Sequence, residues 1–256
     1  MIDLKSELDE LVDKYETLDF IKNDPVGFLH NYSSKQDIEI AGLVASSLAY
    51  GKREAFIEKL KFIFSVLGKN PYLFCINLDK NYLRQIFENF KYRFNTGDDI
   101  CMLLESLFCF YNEFDSFDDF LLDKLVGKEE KAKLAVNMIS TQICGNSQSK
   151  SFKYMFPNPQ TGSACKRLNL FLKWMVRKPP VDRGIWNSLE PKDLIIPLDV
   201  HVAKVSRKLG LTTRKTNDWQ TAEEITAKLR CFSPDDPIRY DFALFDIGVE
   251  KIPVSL

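Results

Sequence analysis

Two short stretches combine residue types and spacings that could do chemistry. In the first, Thr161, Gly162 and Ser163 precede a run in which Ala164, Leu168, Phe171, Leu172 and Met175 share one helical face and Lys166, Lys173 and Arg177 another. A turn of that composition at a helix start offers backbone N–H groups that can hold a phosphate. Lys166 falls in the first helical turn, where the positive end of the helix dipole disfavours a cation by a few tenths of a kcal/mol. Such violations of a local rule are expected where function demands them, although composition alone reads Lys166 as a surface lysine. In the second stretch, Asp199 precedes a helix with Val202, Val205 and Leu209 on its buried face and Gly210 as its C-terminal stop. The Asp199 carboxylate can accept from the N–H groups two and three residues on, worth about 1 kcal/mol as an N-cap. Capping alone would account for the aspartate. His201 sits in the first turn, where a histidine more often packs or caps than catalyses.

Both stretches lie in a basic part of a nearly neutral chain of 256 residues with a net charge of -1. Residues 150–220 hold 14 basic and 5 acidic side chains, a net +9, whereas residues 97–130 hold 10 acids and 2 lysines, a net −8. Such asymmetry either hides a nucleic-acid surface inside a neutral total or reflects solvated helix faces that happen to cluster.

The elements that must position these residues are helical. Leu4, Leu8, Leu11, Val12 and Tyr15 form one amphipathic stripe, and IEIAGLVASSLAY reads as a buried central helix that ends at Gly51. Helices are expected to start near Asn81 (NYLRQIFENFKYRF), Asp98 and Asp118, and further ones over EEKAKLAVNMISTQI, residues 162–176, PLDVHVAKVSRKLGL, DWQTAEEITAKLRCF and DDPIRYDFALFDIGV. LIIP reads as a short extended approach to Asp199. The expected fold class is all-α, with about a dozen helices. With 11 Gly and 11 Pro, turn-rich β folds and Gly-rich phosphate loops are disfavoured.

The six cysteines, Cys75, Cys101, Cys109, Cys144, Cys165 and Cys231, include no C-x-x-C pair. They read as reduced, buried thiols of a cytoplasmic protein. Two distant histidines, His30 and His201, argue against a metal site, so neither metal nor other cofactor is expected. No apolar stretch approaches the roughly 20 residues of a membrane span, and the acidic, amphipathic N-terminus is unlike a signal peptide.

IPLDVHVAKVSRKLGL resembles the stretch around the catalytic aspartate of the helix-hairpin-helix DNA glycosylases of the endonuclease III type. GSACKRLNLFL is similar to the second half of that family's hairpin, with Gly162 at its first glycine and Lys166 at the lysine that serves bifunctional members as nucleophile. IEIAGLVASSLAYGKREAFIEKLKFI is similar to the family's early helix pair and puts Tyr50 where relatives carry a residue that wedges into the duplex. The three patches cover roughly a third of the chain, in the family's order. The chain is also similar to an uncharacterised bacterial family marked by GSACKRLN, LIIPLD and YDFALF.

The resemblance implies a two-lobed helical fold with a cleft between a middle lobe, about residues 36–178, and a terminal lobe, about 1–35 plus 179–256. It implies base excision from double-stranded DNA, with an oxidised purine as one candidate base, by a monomer without an iron–sulfur cluster. Lys166 and Asp199 would be catalytic. Tyr50, Lys52, Arg53, Gly162, Ser163, Arg167, Lys173, Arg177, His201, Lys204, Arg207 and Lys208 would contact DNA, and Trp174 and Trp186 would wall the base pocket. A carboxylate near C1′ would stabilise an oxocarbenium-like sugar, and an amine at C1′ would form a Schiff base that permits strand cleavage. The sequence departs from the pattern in three places: Ala164 replaces the hairpin's second glycine, Lys166 and Asp199 stand 33 residues apart, and the four-cysteine loop is missing. The longer spacing is closer to the archaeal oxidised-guanine branch. The other readings are a nucleic-acid-binding protein without glycosidic chemistry and a helical scaffold with only architectural likeness.

Overall fold

Leu8, Val12 and Tyr15 recur along one face of helix α1 (Leu4–Tyr15) and are all buried there, as their period requires. In this computed structural model residues 4–250 are described. Residues 1–3 and 251–256, assigned above to the terminal lobe, lie outside the described residues. Helices α2 (Lys35–Ser47), α3 (Arg53–Leu67), α4 (Pro71–Ile76) and α5 (Lys80–Phe87) lead to a small hairpin, β1 (Lys91–Tyr92) and β2 (Asn95–Thr96). Then follow α6 (Gly97–Tyr111), α7 (Phe117–Leu125), α8 (Lys131–Cys144), α9 (Lys150–Met155), α10 (Lys166–Val176), α11 (Val200–Lys208), α12 (Trp219–Phe232) and α13 (Asp241–Glu250). The molecule is mostly helical, and none of the described helices is long and apolar enough to cross a membrane.

Helix α2 is the central one. Every residue from Asp37 to Ser47 is buried. Helix α10 crosses it closely at Gly42, where an added Cβ would lie 2.7 Å from Met175 Cε and 3.1 Å from the Phe171 ring. On the other side of the molecule α13 meets α11 at Gly248, where a Cβ would come 3.0 Å from that of His201. Between these contacts one continuous apolar core runs from Leu8 to Ile247.

A buried carboxylate sits in the middle of α2. Glu39 accepts from the Trp186 indole at 2.6 Å, the Tyr111 hydroxyl at 3.0 Å and the N–H groups of Phe117 and Asp118 at 3.0 and 3.3 Å. It thereby ties α2 to α6, to the start of α7 and to the loop carrying Trp186. Burial pushes its carboxyl up to about 7, against the pull of those four donors.

Helix α10 is locked from its other face by charge. Lys173 is fully buried, with its ammonium 2.9 Å from Asp241 and 3.8 Å from the centre of the Phe242 ring. Burial works against that ammonium, but Asp241 and Asp182 outweigh it and hold its pKa above the ordinary lysine value. Arg177, just past the helix end, binds Glu16, Asp182 at 2.6 Å and Asp236 at 2.9 Å. Two cations expected to face phosphate are therefore internal ties between α10 and the chain termini.

Three local expectations change. NYLRQIFENFKYRF is not one helix: α5 ends at Phe87, Arg93 adopts a left-handed φ of 55°, and the chain turns through the hairpin. Asn95 is buried there and donates to Asp99 and to the Ser151 carbonyl, so tertiary partners override local helix propensity. The one-and-a-half-turn helices α4 and α9 are too short to show a period. Cys109 and Cys231 are exposed, unlike the other thiols.

Glu39→Gln should lower stability by about 2–4 kcal/mol, because an amide nitrogen must then face N–H donors. The native pKa of about 7 stands above the unfolded carboxyl value, so the native state binds more protons between the two. Wild-type stability should accordingly fall as pH rises from about 4.5 to 7, and Glu39→Gln should remove that part of the slope in chemical denaturation. Lys173→Ala should cost about 3–5 kcal/mol by leaving Asp241 unpaired in the core. Lys208→Ala, at an exposed position, should stay within about 0.5 kcal/mol.

Candidate active site

The Lys166 end of α10 is built by a compact turn. Asn158 accepts from Gln160 N–H, Gly162 takes the left-handed φ of 80°, and Ser163 Oγ accepts from Cys165 N–H. Cys165 is itself left-handed, at φ 49°, and Asn169 Nδ2 donates back to the Ala164 carbonyl. Ser163 also bridges to Asp218 of the chain leading into α12. The N–H groups of Thr161 and Gly162 are spent on Asn158 and Pro159 carbonyls, so they are not the anion donors expected of this turn. Burial pushes the Cys165 thiol up to about 12, which keeps it from competing as a nucleophile beside Lys166.

Asp199 arrives on the extended LIIP segment. Leu194, Ile196 and Leu198 are buried, and Ile196 N–H donates to Thr226 Oγ1 at 3.0 Å. Asp199 Oδ1 accepts from His201 and Val202 N–H at 2.8 and 2.9 Å, capping α11 as its sequence position requires. Its other oxygen, Oδ2, lies 3.2 Å from Lys166 Nζ. The two side chains keep 15% and 28% of their accessibility, so neither is sealed in the core. Capping and pairing coexist on one carboxylate.

The pair lies on the wall of a cavity of about 550 Å³. Tyr50, Arg53, Trp174, His201 and Phe245 line it with them, the Arg53 guanidinium 5.3 Å from the centre of the Phe245 ring. Asp24, Asp241, Phe242, Tyr154 and Asn217 join them; of these only Asp241 and Phe242 fall in a stretch the sequence singles out, YDFALF, and none is an expected site residue. Among the described residues, no three of His, Cys, Asp and Glu come together as metal ligands.

Of the remaining site candidates, Lys52 is exposed beside the cavity, and Gly162 is exposed on the turn. Tyr50 is held in the wall: its hydroxyl donates to Asn95 and its ring packs on Tyr92, Phe94 and Tyr154. Arg167 does not face a phosphate. It is buried, with its guanidinium 4.2 Å from the Tyr154 ring centre and 5.1 Å from that of Tyr50, and it donates to the Tyr154 carbonyl. Trp186 is not a pocket wall; its indole serves Glu39 and its ring meets Phe171 edge-on. Arg207 is occupied by the carbonyls of Arg214, Lys215 and Thr216 and by the Asn217 side chain, which pins the loop before α12. Lys204 and Lys208 are exposed. With His201 they fall on one stripe of α11, at spacings of three and four residues, running away from the cavity.

The rim carries exposed aromatic surface. Phe94, at the hairpin tip, and Tyr154 are 48% and 45% exposed and touch each other, with ring centres 4.6 Å apart. Exposed Arg93 and Lys153 precede them in the chain, and exposed Lys52 follows Gly51 of the cavity wall. The hairpin that local propensity had read as helix thus supplies part of the cavity's mouth.

The three marker stretches of the sequence converge here: GSACKRLN carries Lys166, LIIPLD carries Asp199, and YDFALF carries Asp241, Phe242 and Phe245. No curated protein and no solved structure matches the chain. A family model described as a protein of unknown function, DUF2400, matches residues 24–250, nearly the whole chain and every residue of the cavity wall. The protein belongs to the DUF2400 family.

Proposed function

We propose that this protein is a DNA base-excision glycosylase with Schiff-base lyase activity, acting on a damaged base for which an oxidised purine is one candidate. The observation that carries the reading is the placement of Lys166 Nζ 3.2 Å from Asp199 Oδ2 at the wall of a cavity of nucleoside size. The cavity then corresponds to the cleft between a middle lobe, residues 36–178, and a terminal lobe, residues 1–35 with 179–256. Its partner is double-stranded DNA from which the target nucleotide has been turned out.

The chemistry follows from the pair. Transfer of one ammonium proton from Lys166 to Asp199 frees the amine lone pair. That lone pair forms a bond to C1′ of the flipped nucleotide as the glycosidic bond breaks and its electrons leave with the base. Opening of the sugar ring, with a proton to its oxygen, leaves an iminium between Lys166 and C1′. Loss of a C2′ proton then expels the 3′ phosphate. Asp199 gives the proton it took from Lys166 to that ring oxygen, and its restored carboxylate then lies beside the iminium charge. Phe94 and Tyr154 supply faces on which bases can stack, and the stripe of His201, Lys204 and Lys208 a track for the phosphates.

Borohydride trapping on duplex DNA with an abasic site tests the reading. The wild-type protein should become covalently attached. Lys166→Ala should abolish the adduct and keep DNA affinity within a few fold, and Asp199→Asn should lose the chemistry with little loss of fold, since Asn caps a helix nearly as well. An adduct formed equally by Lys166→Ala would place the nucleophile elsewhere. Salt-dependent DNA binding by a wild-type protein that forms no adduct would leave a binding protein, and neither result a scaffold. Replacing Lys204 and Lys208 together by Ala should flatten the log–log salt dependence of binding by about 2 units, since each lost phosphate contact removes roughly 0.9. An unchanged slope would move the DNA off this stripe.

A further inference from the structure

Besides Asp199 the cavity wall carries two carboxyls that this chemistry has not used, those of Asp24 and Asp241. Asp24 lines it together with Lys166 and Asp199 but enters from the opposite end of the chain, at the start of the 3-10 turn Pro25–Asn31. Its Oδ1 accepts from Val26 N–H at 3.1 Å, which fixes the side chain. Among the described residues no cation lies within ion-pair distance of it, whereas Asp199 is paired with Lys166 and Asp241 with Lys173. The two paired carboxylates carry countercharge; the unpaired one is in the position to carry a proton.

Resting on the glycosidic reading above, we propose that Asp24 is the acid that protonates the departing base. The step balances as follows: the bond between C1′ and the base nitrogen breaks, its electron pair goes to the base ring, and the Asp24 proton is delivered to a ring nitrogen. The base leaves neutral. Lys166 forms its bond to C1′, and Asp24, now a carboxylate, regains a proton from solvent after the base has left. Burial in the cavity raises the Asp24 pKa above the ordinary carboxyl value, against the opposing pull of Arg53, the Val26 N–H, Lys173 and Lys166. The charged and titratable groups that share its cavity are Tyr50, Arg53 from α3, Tyr154 from α9, Lys166 from α10, Asp199 and His201 at the start of α11, and Asp241 from α13, with Lys173 behind Asp241. A site in which one carboxylate is held in an ion pair and another carboxyl meets no cation at ion-pair distance is the arrangement that divides stabiliser from acid.

The experiment compares two DNA substrates with one variant, Asp24→Asn, in which the amide oxygen can still accept from Val26 N–H. The first is a duplex with a preformed abasic site, from which no base has to leave; the second is a set of duplexes carrying 8-oxoguanine or hypoxanthine. Asp24→Asn should trap on the abasic duplex and release base from the modified duplexes at least about a hundredfold more slowly than wild type. Wild-type base release should fall as pH rises through the raised Asp24 pKa, and the variant should lack that limb. Trapping by the variant also reports that it has folded. Base release by Asp24→Asn at the wild-type rate would overturn the assignment while leaving the Lys166 chemistry standing. Wild-type trapping without base release from either modified duplex would overturn it as well, since a lyase alone has no base to protonate. Failure of the wild-type protein to trap would instead remove the reading on which the assignment rests, and the assignment with it.

Discussion

The ion pair between the fully buried Lys173 and Asp241 is the constraint on which the arrangement of the site depends. A buried ammonium is tolerated only when a carboxylate meets it with good geometry, and this one finds its partner 68 residues away, at the first residue of α13. Arg177 adds Glu16, Asp182 and Asp236 to the same end of α10. These bonds hold the N- and C-terminal helices against α10 and so fix where α11, packed on α13, presents Asp199. The Lys166–Asp199 distance is set less by those two residues than by the ion pairs about two and three turns further along α10.

The opposite face of α10 meets α2, and there the demand is for volume rather than charge. Gly42 lets the Phe171 and Met175 side chains come within contact of the α2 backbone. Glu39, on the same helix, gathers an indole, a phenol and the first N–H groups of α7 around one carboxylate. A carboxylate at a helix N-terminus is favourable, but burying it is not, and only four simultaneous donors make the position tenable. Trp186 is fully used by this task, which is why an aromatic residue that looks free in the sequence contributes nothing to the cavity.

Several side chains near the cavity carry two duties. Asp199 caps α11 with one oxygen and meets Lys166 with the other. Trp174 is core on one side and cavity wall on the other. Tyr50 and Arg167 brace the hairpin and α9, whose Phe94 and Tyr154 form the exposed rim. The structural and the chemical explanations of a residue are therefore not alternatives here. Asp199 can respond to chemistry at one oxygen without losing the helix that the other oxygen starts.

Whatever rests on neighbours a few residues apart can be read along the chain. The apolar periods of α1, α2, α10 and α11, the Asp199 cap, the Gly210 stop and the position of Lys166 at a helix start are all decided within one or two turns, and all are legible. The tertiary structure alone decided which charges of the +9 segment remain available. Lys173 and Lys208 look alike in sequence, yet one is sealed against Asp241 and the other stands in solvent. It alone made the turn at Arg93 that exposes Phe94, and it alone brought Asp24, 142 residues before Lys166, to the same cavity. The reason is physical: helix periods and caps depend on the chain's own hydrogen bonds, whereas the burial or freedom of a charge depends on carboxylates and carbonyls supplied from across the fold, up to 161 residues away for Arg177 and Glu16.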